Sequence, residues 1–443
     1  MLRPGWPCRL FPARDDPEPQ NVMTLAASVI LALLAAVNFR VRRSLFYPPV
    51  LYSAWWAILL LVLWLSGDAF YPLSPKTLAV YILGAMAFTL GGLLRLAFHA
   101  SDAPASAVSE AQERAANRFL ILSALVLLVA FPFYWLRLQE LKAASVYSDF
   151  WRAVRQQTSS GLPDDNALGS FKYLLGAASF MAMVAVYQND GSRRARIRTA
   201  VIVAITLLYH FLTAGRLGAM TTLFGVLVVS RMRSGRIHWK SWCVGAALLA
   251  IVFTAPAVLL NKGGDSSKSL GENVSGVLES LRHYTVSGLV AFNHVVDDAS
   301  VLPPWLSFRF FFALGHNVGL DVDVPPMILP FAATPAPTNI YTIYASYFAD
   351  FGWVGVGVLM CLHGFIVTML YQAAIRGRPE AVILFGFAVS NLVVSAATDG
   401  FLVGLSYWIQ AVLWTLVVYR WPLLARSRSY KGTEMAAVEM AGG

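Results

Sequence analysis

Arg216 is the side chain whose type and setting point most directly to chemistry. It closes the string Thr213-Ala214-Gly215-Arg216, at the tip of an apolar hairpin bounded by Arg198 and Arg231. The hairpin has about 32 residues, so each arm reaches roughly 24 Å at ~1.5 Å per residue, short of a ~30 Å hydrocarbon layer. Its tip is expected slightly below the outer membrane surface, where an arginine is costly unless it finds a partner. A guanidinium at that depth suits a lipid diphosphate, which it can hold through two parallel hydrogen bonds. The competing reading is an anchoring arginine that snorkels to the interface. Arg282-His283-Tyr284 offers a second cation, either a further diphosphate clamp or an exposed loop arginine. His316 follows an aromatic run and a glycine. An imidazole there can act as a general base near neutral pH, or serve only the structure. His294 lies in an ordinary polar setting, and His363 falls in mid-span, where a packed core residue is expected.

The elements that must position these residues are membrane helices. The chain is 57% hydrophobic and 13% charged, with 13 Trp and 27 Phe, whereas a soluble domain carries about 25% charged residues. Apolar runs near 22–39, 50–66, 77–97, 119–136, 172–187, 199–213, 217–230, 241–260, 352–373, 380–397 and 401–421 give about eleven candidate spans. The expected fold class is an all-α polytopic membrane protein. Basic clusters lie at Arg40/Arg42/Arg43, Arg193/Arg194/Arg196/Arg198, Arg231/Arg233/Arg236/Lys240, Arg376/Arg378 and Arg420/Arg426/Arg428/Lys431. If the spans alternate, all of these fall on one side, which must be cytoplasmic. The net charge of +10 then reflects topology, and nucleic acid is excluded as a partner.

This orientation divides the chain into a tail at 1–21, spans one to eight within 22–260, an outward loop at 261–351, spans nine to eleven within 352–425, and a cytoplasmic tail at 426–443. The tail at 1–21 sets Arg3, Arg9 and Arg14 against Asp15, Asp16 and Glu18, so charge does not fix its side, and Met23 is an alternative start. The first span reads as an anchor without a cleavage site. Cys8, Cys243 and Cys361 make no disulfide framework, thiol nucleophile or zinc site.

The outward loop is long, aromatic and Pro-rich, the kind of segment that carries function in a membrane protein whose other connections are short. It opens on Asn261-Lys262-Gly263-Gly264-Asp265. Val274–Tyr284 reads as a short amphipathic helix, and Trp305–Leu314 as an aromatic segment lying at the interface or dipping into it. Pro325, Pro326, Pro330, Pro335 and Pro337 keep the chain extended until Thr338 or Asn339 caps a helix. That helix points its positive end outward, towards an anionic lipid head. Asn339, Tyr341 and Asp350 would then line a pocket. A smaller outward segment, Arg137–Lys172, contains Arg152, Arg155 and the turn-prone string from Gly161 to Asp165. Three strings are discounted. Asp321-Val322-Asp323 lies outside, where nucleotide sugars are absent; Asp350-Phe351-Gly352 lacks any kinase context. Gly352, Gly355 and Gly357 suit close helix packing better than a phosphate loop.

Taken in order, these strings resemble the O-antigen polymerase (Wzy) family, the oligosaccharide repeat-unit polymerases. The resemblance rests on Pro48-Pro49-Val50-Leu51 with Trp55-Trp56, Gly67 and Tyr71-Pro72-Leu73-Ser74; on Thr213–Arg216; on Tyr284 to Phe292 with Gly288 and Leu289; and on Thr338-Asn339-Ile340-Tyr341-Thr342 through Tyr347 to Asp350-Phe351-Gly352. It implies a GT-C-like membrane fold and an inverting glycosyltransferase at the periplasmic face of the bacterial inner membrane, with no cofactor and no metal. Donor and acceptor would be oligosaccharides linked to undecaprenyl diphosphate, with membrane lipid and a chain-length regulator (polysaccharide co-polymerase) as further partners. By the same resemblance Arg216, Arg282 and His316 would be catalytic, and Tyr284, Asn339, Tyr341, Thr342 and Asp350 would bind substrate. An O-antigen ligase shares the chemistry and is the alternative enzyme. A repeat-unit flippase would show an internal repeat and mid-span charges, and neither is evident here.

Overall fold

The structure is a computed structural model that describes residues 18–98, 110–159, 167–213, 215–236, 239–259 and 270–420. Expectations for Cys8, most of the 98–118 loop, the Gly161–Asp165 turn, Ala214, Asn261–Asp265 and the tail from Arg426 lie outside those residues.

Among the described residues there are fourteen α-helices and one minimal strand pair. In chain order they are α1 Glu18–Val41, α2 Pro48–Leu65, α3 Pro75–Ala97, α4 Glu110–Ala143, α5 Phe150–Ser159, α6 Phe171–Tyr187 and α7 Arg193–Leu212. They continue with α8 Arg216–Ser234, α9 Trp239–Leu259, α10 Leu270–Asp297, α11 Arg309–Asn317, α12 Ile343–Ile375, α13 Pro379–Val394 and α14 Leu405–Thr415. The starts follow local chemistry. The Ser74 side chain accepts a hydrogen bond from the Thr77 amide with Pro75 behind it, and Ser192 does the same for Ala195. These side chains satisfy amides that the first helical turn leaves unpaired.

Six of these helices are long and apolar enough to cross a membrane: Val22–Val41, Pro48–Leu65, Pro75–Ala97, Gln112–Ala143, Arg193–Leu212 and Ile343–Ile375. Phe171–Tyr187, Trp242–Val252 and Pro379–Val394 are shorter apolar helices. Outward-facing apolar side chains, such as Ile121, Leu122, Leu125 and Val129 on α4, are exposed. Those are the faces that lipid covers in a polytopic membrane protein.

One half of the core is a cluster of rings joining α2, α3, α10 and α12. Tyr52 stacks on Phe88 at 4.4 Å, Trp56 meets Tyr344 at 4.7 Å, and Tyr81 meets Phe292 at 5.5 Å. Tyrosine hydroxyls are paired within it: that of Tyr52 donates to the Tyr344 hydroxyl at 2.8 Å, and that of Tyr81 to the Leu289 carbonyl at 2.8 Å. The backbones of α3 and α12 touch. A Cβ at Gly91 would collide with the Cys361 carbonyl, and one at Gly364 with that of Phe88. The other half packs α6, α8 and α13, flanked by α7, α9 and α14.

Three expectations are corrected. The helix foreseen at 274–284 is 28 residues long. Val286, Leu289, Val290, Phe292 and Val295 are fully buried, so its second half belongs to the core. Neither Thr338 nor Asn339 caps a helix. Ala332–Ala333 pairs antiparallel with Pro337–Thr338, and α12 starts only at Ile343, whose amide donates to the Ser395 carbonyl at 2.8 Å. Gly352 and Gly357 are not packing glycines. Gly352 has φ 61° and ψ −148°, a conformation open essentially to glycine alone, and it breaks α12. Nothing lies near Gly357, while Gly355 is crowded by Phe351 and Tyr347 across the break. Close approach belongs to Gly91 and Gly364.

Candidate functional site

The α7–α8 hairpin turns as its sequence suggests. The His210 carbonyl accepts both the Gly215 amide at 3.1 Å and the Thr213 hydroxyl at 2.9 Å, which folds the tip back on the end of α7. Arg216 is then the first residue of α8. Its guanidinium lies 5.7 Å from the centre of the Tyr284 ring on α10, a cation–π contact that strengthens as water is excluded. Two candidates distant in sequence are thus side by side.

A third group joins them. Asp149 accepts from the Arg152 amide at 2.8 Å and caps α5. The apolar side of α5 packs inward through Ala153 and Val154, both fully buried, and Trp151 meets Phe211 edge-on at 5.0 Å. Phe211 lies two residues before Thr213, so α5 is fastened to the base of the tip. This arrangement brings Arg155 into the electrostatic field of both Arg216 and Tyr284. Two like charges in one neighbourhood repel, so Arg155 makes the Arg216 charge more costly.

Next to this group is a cavity of about 440 Å³ between α6, α7, α8, α13 and α14. Gly215, Leu217 and Gly218 of the hairpin line it, together with apolar residues such as Leu175, Phe180, Phe387 and Val403. Its polar lining includes Ser179, His210, Asn391, Asp399 and Gln410. His210 Nε2 is 2.9 Å from the Ser179 hydroxyl, which is 2.7 Å from that of Thr222.

A second cavity of about 90 Å³ adjoins it. Met327, Thr398, Asp399 and Val403 line both, so the 398–403 turn forms a shared wall. Asn339, Tyr341 and Thr342 line the smaller cavity together, with Ser346. Tyr341 is held by its hydroxyl, which donates to the Pro330 carbonyl at 3.0 Å.

The remaining candidates are elsewhere. Asp350 accepts from the amides of Leu306 and Ser307 at 3.2 and 2.8 Å and pins the start of the segment leading into α11; it lines neither cavity. Arg282 lies over Phe70 at 5.7 Å, and its Nε is buried without a hydrogen-bond partner. The adjacent His283 ring meets Phe70 at 4.9 Å, and burial pushes its imidazole below the usual histidine range. Residues two apart on a helix leave it in different directions, so Arg282 and Tyr284 serve different sides of α10. His316 is exposed at the end of α11 and lines neither cavity. Asp321 and Asp323 are exposed too, and no group of three or more His, Cys, Asp or Glu side chains is gathered for a metal among the described residues.

Sequence reasoning passed over three lining or flanking residues. Arg155 was one arginine in a polar loop until α5 gave it a direction. His210 carries a weak signal, a histidine near the end of an apolar arm six residues before Arg216. Asp399 sits in a short turn between two apolar runs, and nothing in its neighbourhood marks it.

Part of the chain is similar to a known protein. An O-antigen polymerase from Shigella dysenteriae is 30% identical over 116 residues, a stretch covering 26% of this chain and 29% of that protein. No family model matches the chain, and no solved structure matches it. The likeness extends over about a quarter of this chain.

Proposed function

We propose that this protein is a glycosyltransferase that polymerises oligosaccharide repeat units carried on undecaprenyl diphosphate. It would act at the periplasmic face of the bacterial inner membrane, through about eleven crossings in a GT-C-like arrangement. The observation that carries the reading is Arg216 against Tyr284, with Arg155 beside them, at the edge of a largely apolar cavity. That combination suits a lipid whose first polar group is a diphosphate. The partial likeness to an O-antigen polymerase supports the same class of reaction.

Chemically, the diphosphate is already a good leaving group, and the site has to stabilise the charge that develops as its bond to the sugar breaks. Fixed guanidiniums supply this without reorganisation. Arg216 and Arg155 would hold the departing diphosphate, and Tyr284 would fix the Arg216 plane. The reacting hydroxyl of the acceptor would be presented at the smaller cavity beside Asn339, Tyr341 and Thr342. A chain-length regulator would be a further partner while the polymer grows.

The test is direct. Purified protein in lipid nanodiscs, given undecaprenyl-diphosphate repeat units, should lengthen them into a ladder, with the rate unchanged in EDTA. A protein that lengthens nothing is not a polymerase. Turnover lost in EDTA and restored by Mg²⁺ would contradict the arginine-based electrostatics and redirect attention to Asp321 and Asp323.

A further inference from the structure

We propose that Asp399 is the catalytic base of the transfer, receiving the proton of the acceptor hydroxyl. The inference rests on the polymerase reading and adds the group that reading lacks.

Asp399 lies in the wall common to the two cavities, one assigned to the donor lipid and one to the acceptor. A hydroxyl entering from the smaller cavity and a sugar–diphosphate bond presented from the larger would meet at this wall. The side chain is 6% exposed, and no ion pair holds it among the described residues. A buried carboxylate beside a cavity and without a cationic partner is a candidate for proton transfer.

Its hydrogen bonds are unequal. Oδ1 accepts from the Tyr347 hydroxyl at 3.0 Å and from the amides of Phe401 and Leu402 at 2.9 and 3.1 Å. Oδ2 has only longer contacts, 3.3 Å to the Ser346 hydroxyl and 3.3 Å to the Val403 amide. Oδ1 is therefore fixed, while Oδ2 keeps capacity to accept a proton. Burial raises the carboxyl above its ordinary range, and the donors to Oδ1 offset part of that rise. The result is a stronger base than a solvated carboxylate.

The step balances. The acceptor hydroxyl oxygen bonds to the anomeric carbon from the face opposite the diphosphate, and its proton passes to Asp399 Oδ2. The carbon–oxygen bond to the diphosphate breaks, and its electron pair leaves with the diphosphate oxygen towards Arg216. The proton is then released from Asp399 to water.

Other titratable groups near Asp399 are Tyr347 of α12, Tyr52 of α2 and, across the larger cavity, His210 and Tyr407. His363 of α12 packs on the same group, its ring 4.4 Å from that of Phe401 and 5.6 Å from that of Tyr347.

The experiment is the pH dependence of a single addition, measured on the full-length protein in nanodiscs with undecaprenyl-diphosphate repeat units. Wild type should show a rate that falls on the acid side as one group protonates. Asp399→Asn should lose about 100-fold or more and lose that acid limb. Tyr347→Phe removes a donor to Oδ1 and should move the limb to higher pH by roughly one unit, which a merely structural aspartate would not do. An Asp399→Asn protein that unfolds at the wild-type temperature and adds units within tenfold of wild type overturns the inference. So does a Tyr347→Phe protein with an unmoved limb, whether or not Asp399→Asn folds. In either case an active wild type leaves the polymerase reading standing, whereas an inactive wild type overturns both.

Discussion

At the scale of single residues, the proposal turns on Arg216. The sequence singles it out because a short hairpin between basic clusters sets its expected depth, and depth makes a charge expensive. Its partners were not legible. Tyr284 is 68 positions away, and only the burial of the second half of α10 brings its ring to 5.7 Å from the guanidinium. Arg282, two residues earlier, looked equally suitable in the sequence and lies over Phe70 instead. Losing one bidentate contact in a partly dry site costs roughly 2–4 kcal/mol, or about 30- to 1000-fold in rate. Arg216→Ala should accordingly leave a normally inserted protein that yields mainly single-repeat product. Arg216→Lys keeps the charge without the planar fork and should restore part of the activity. Normal chain lengths from Arg216→Ala, at normal protein levels, would reduce the residue to a snorkelling anchor.

At the scale of elements, apolar runs mark helices well, since each of the eleven runs read from hydropathy is largely helical. Hydropathy does not give the exact start of a helix when a tertiary bond competes with a cap. Thr338 and Asn339 follow Pro337 as a helix start should, yet the pairing of Pro337–Thr338 with Ala332–Ala333 takes Thr338 into a strand, and the helix begins only at Ile343. That displacement puts Asn339, Tyr341 and Thr342 on the wall of the smaller cavity instead of on a helix. α10 outruns its sequence signal for the opposite reason: Ser287, Gly288, Asn293 and His294 interrupt its apolar pattern, although the residues between them are core. Asn293 is itself occupied, accepting from the Ser74 amide and the Thr77 hydroxyl and tying α10 to the start of α3. The element-level prediction concerns the smaller cavity. Asn339→Ala and Tyr341→Phe should insert normally and shorten the polymer ladder on a lipopolysaccharide gel. Wild-type ladders from both would remove that cavity from the acceptor site.

At the scale of the whole molecule, composition and the basic clusters specified a polytopic membrane protein, and the structure supplies six helices that meet the length and hydropathy for crossing. α8 falls short of that standard because Arg216, Arg231 and Arg233 share its 19 residues. Reporter fusions check the orientation. One at Asp323 should score periplasmic, and those at Ser234 and Arg378 cytoplasmic. A cytoplasmic result at Asp323 would put the segment between α9 and α12 on the wrong side for the proposed reaction. The most direct test of the central claim is the lipopolysaccharide of a strain lacking this protein, separated on a gel. Polymerisation predicts core bearing a single repeat unit, with the ladder restored by the wild-type gene; core bearing no repeat unit would contradict it and point to a ligase or a flippase.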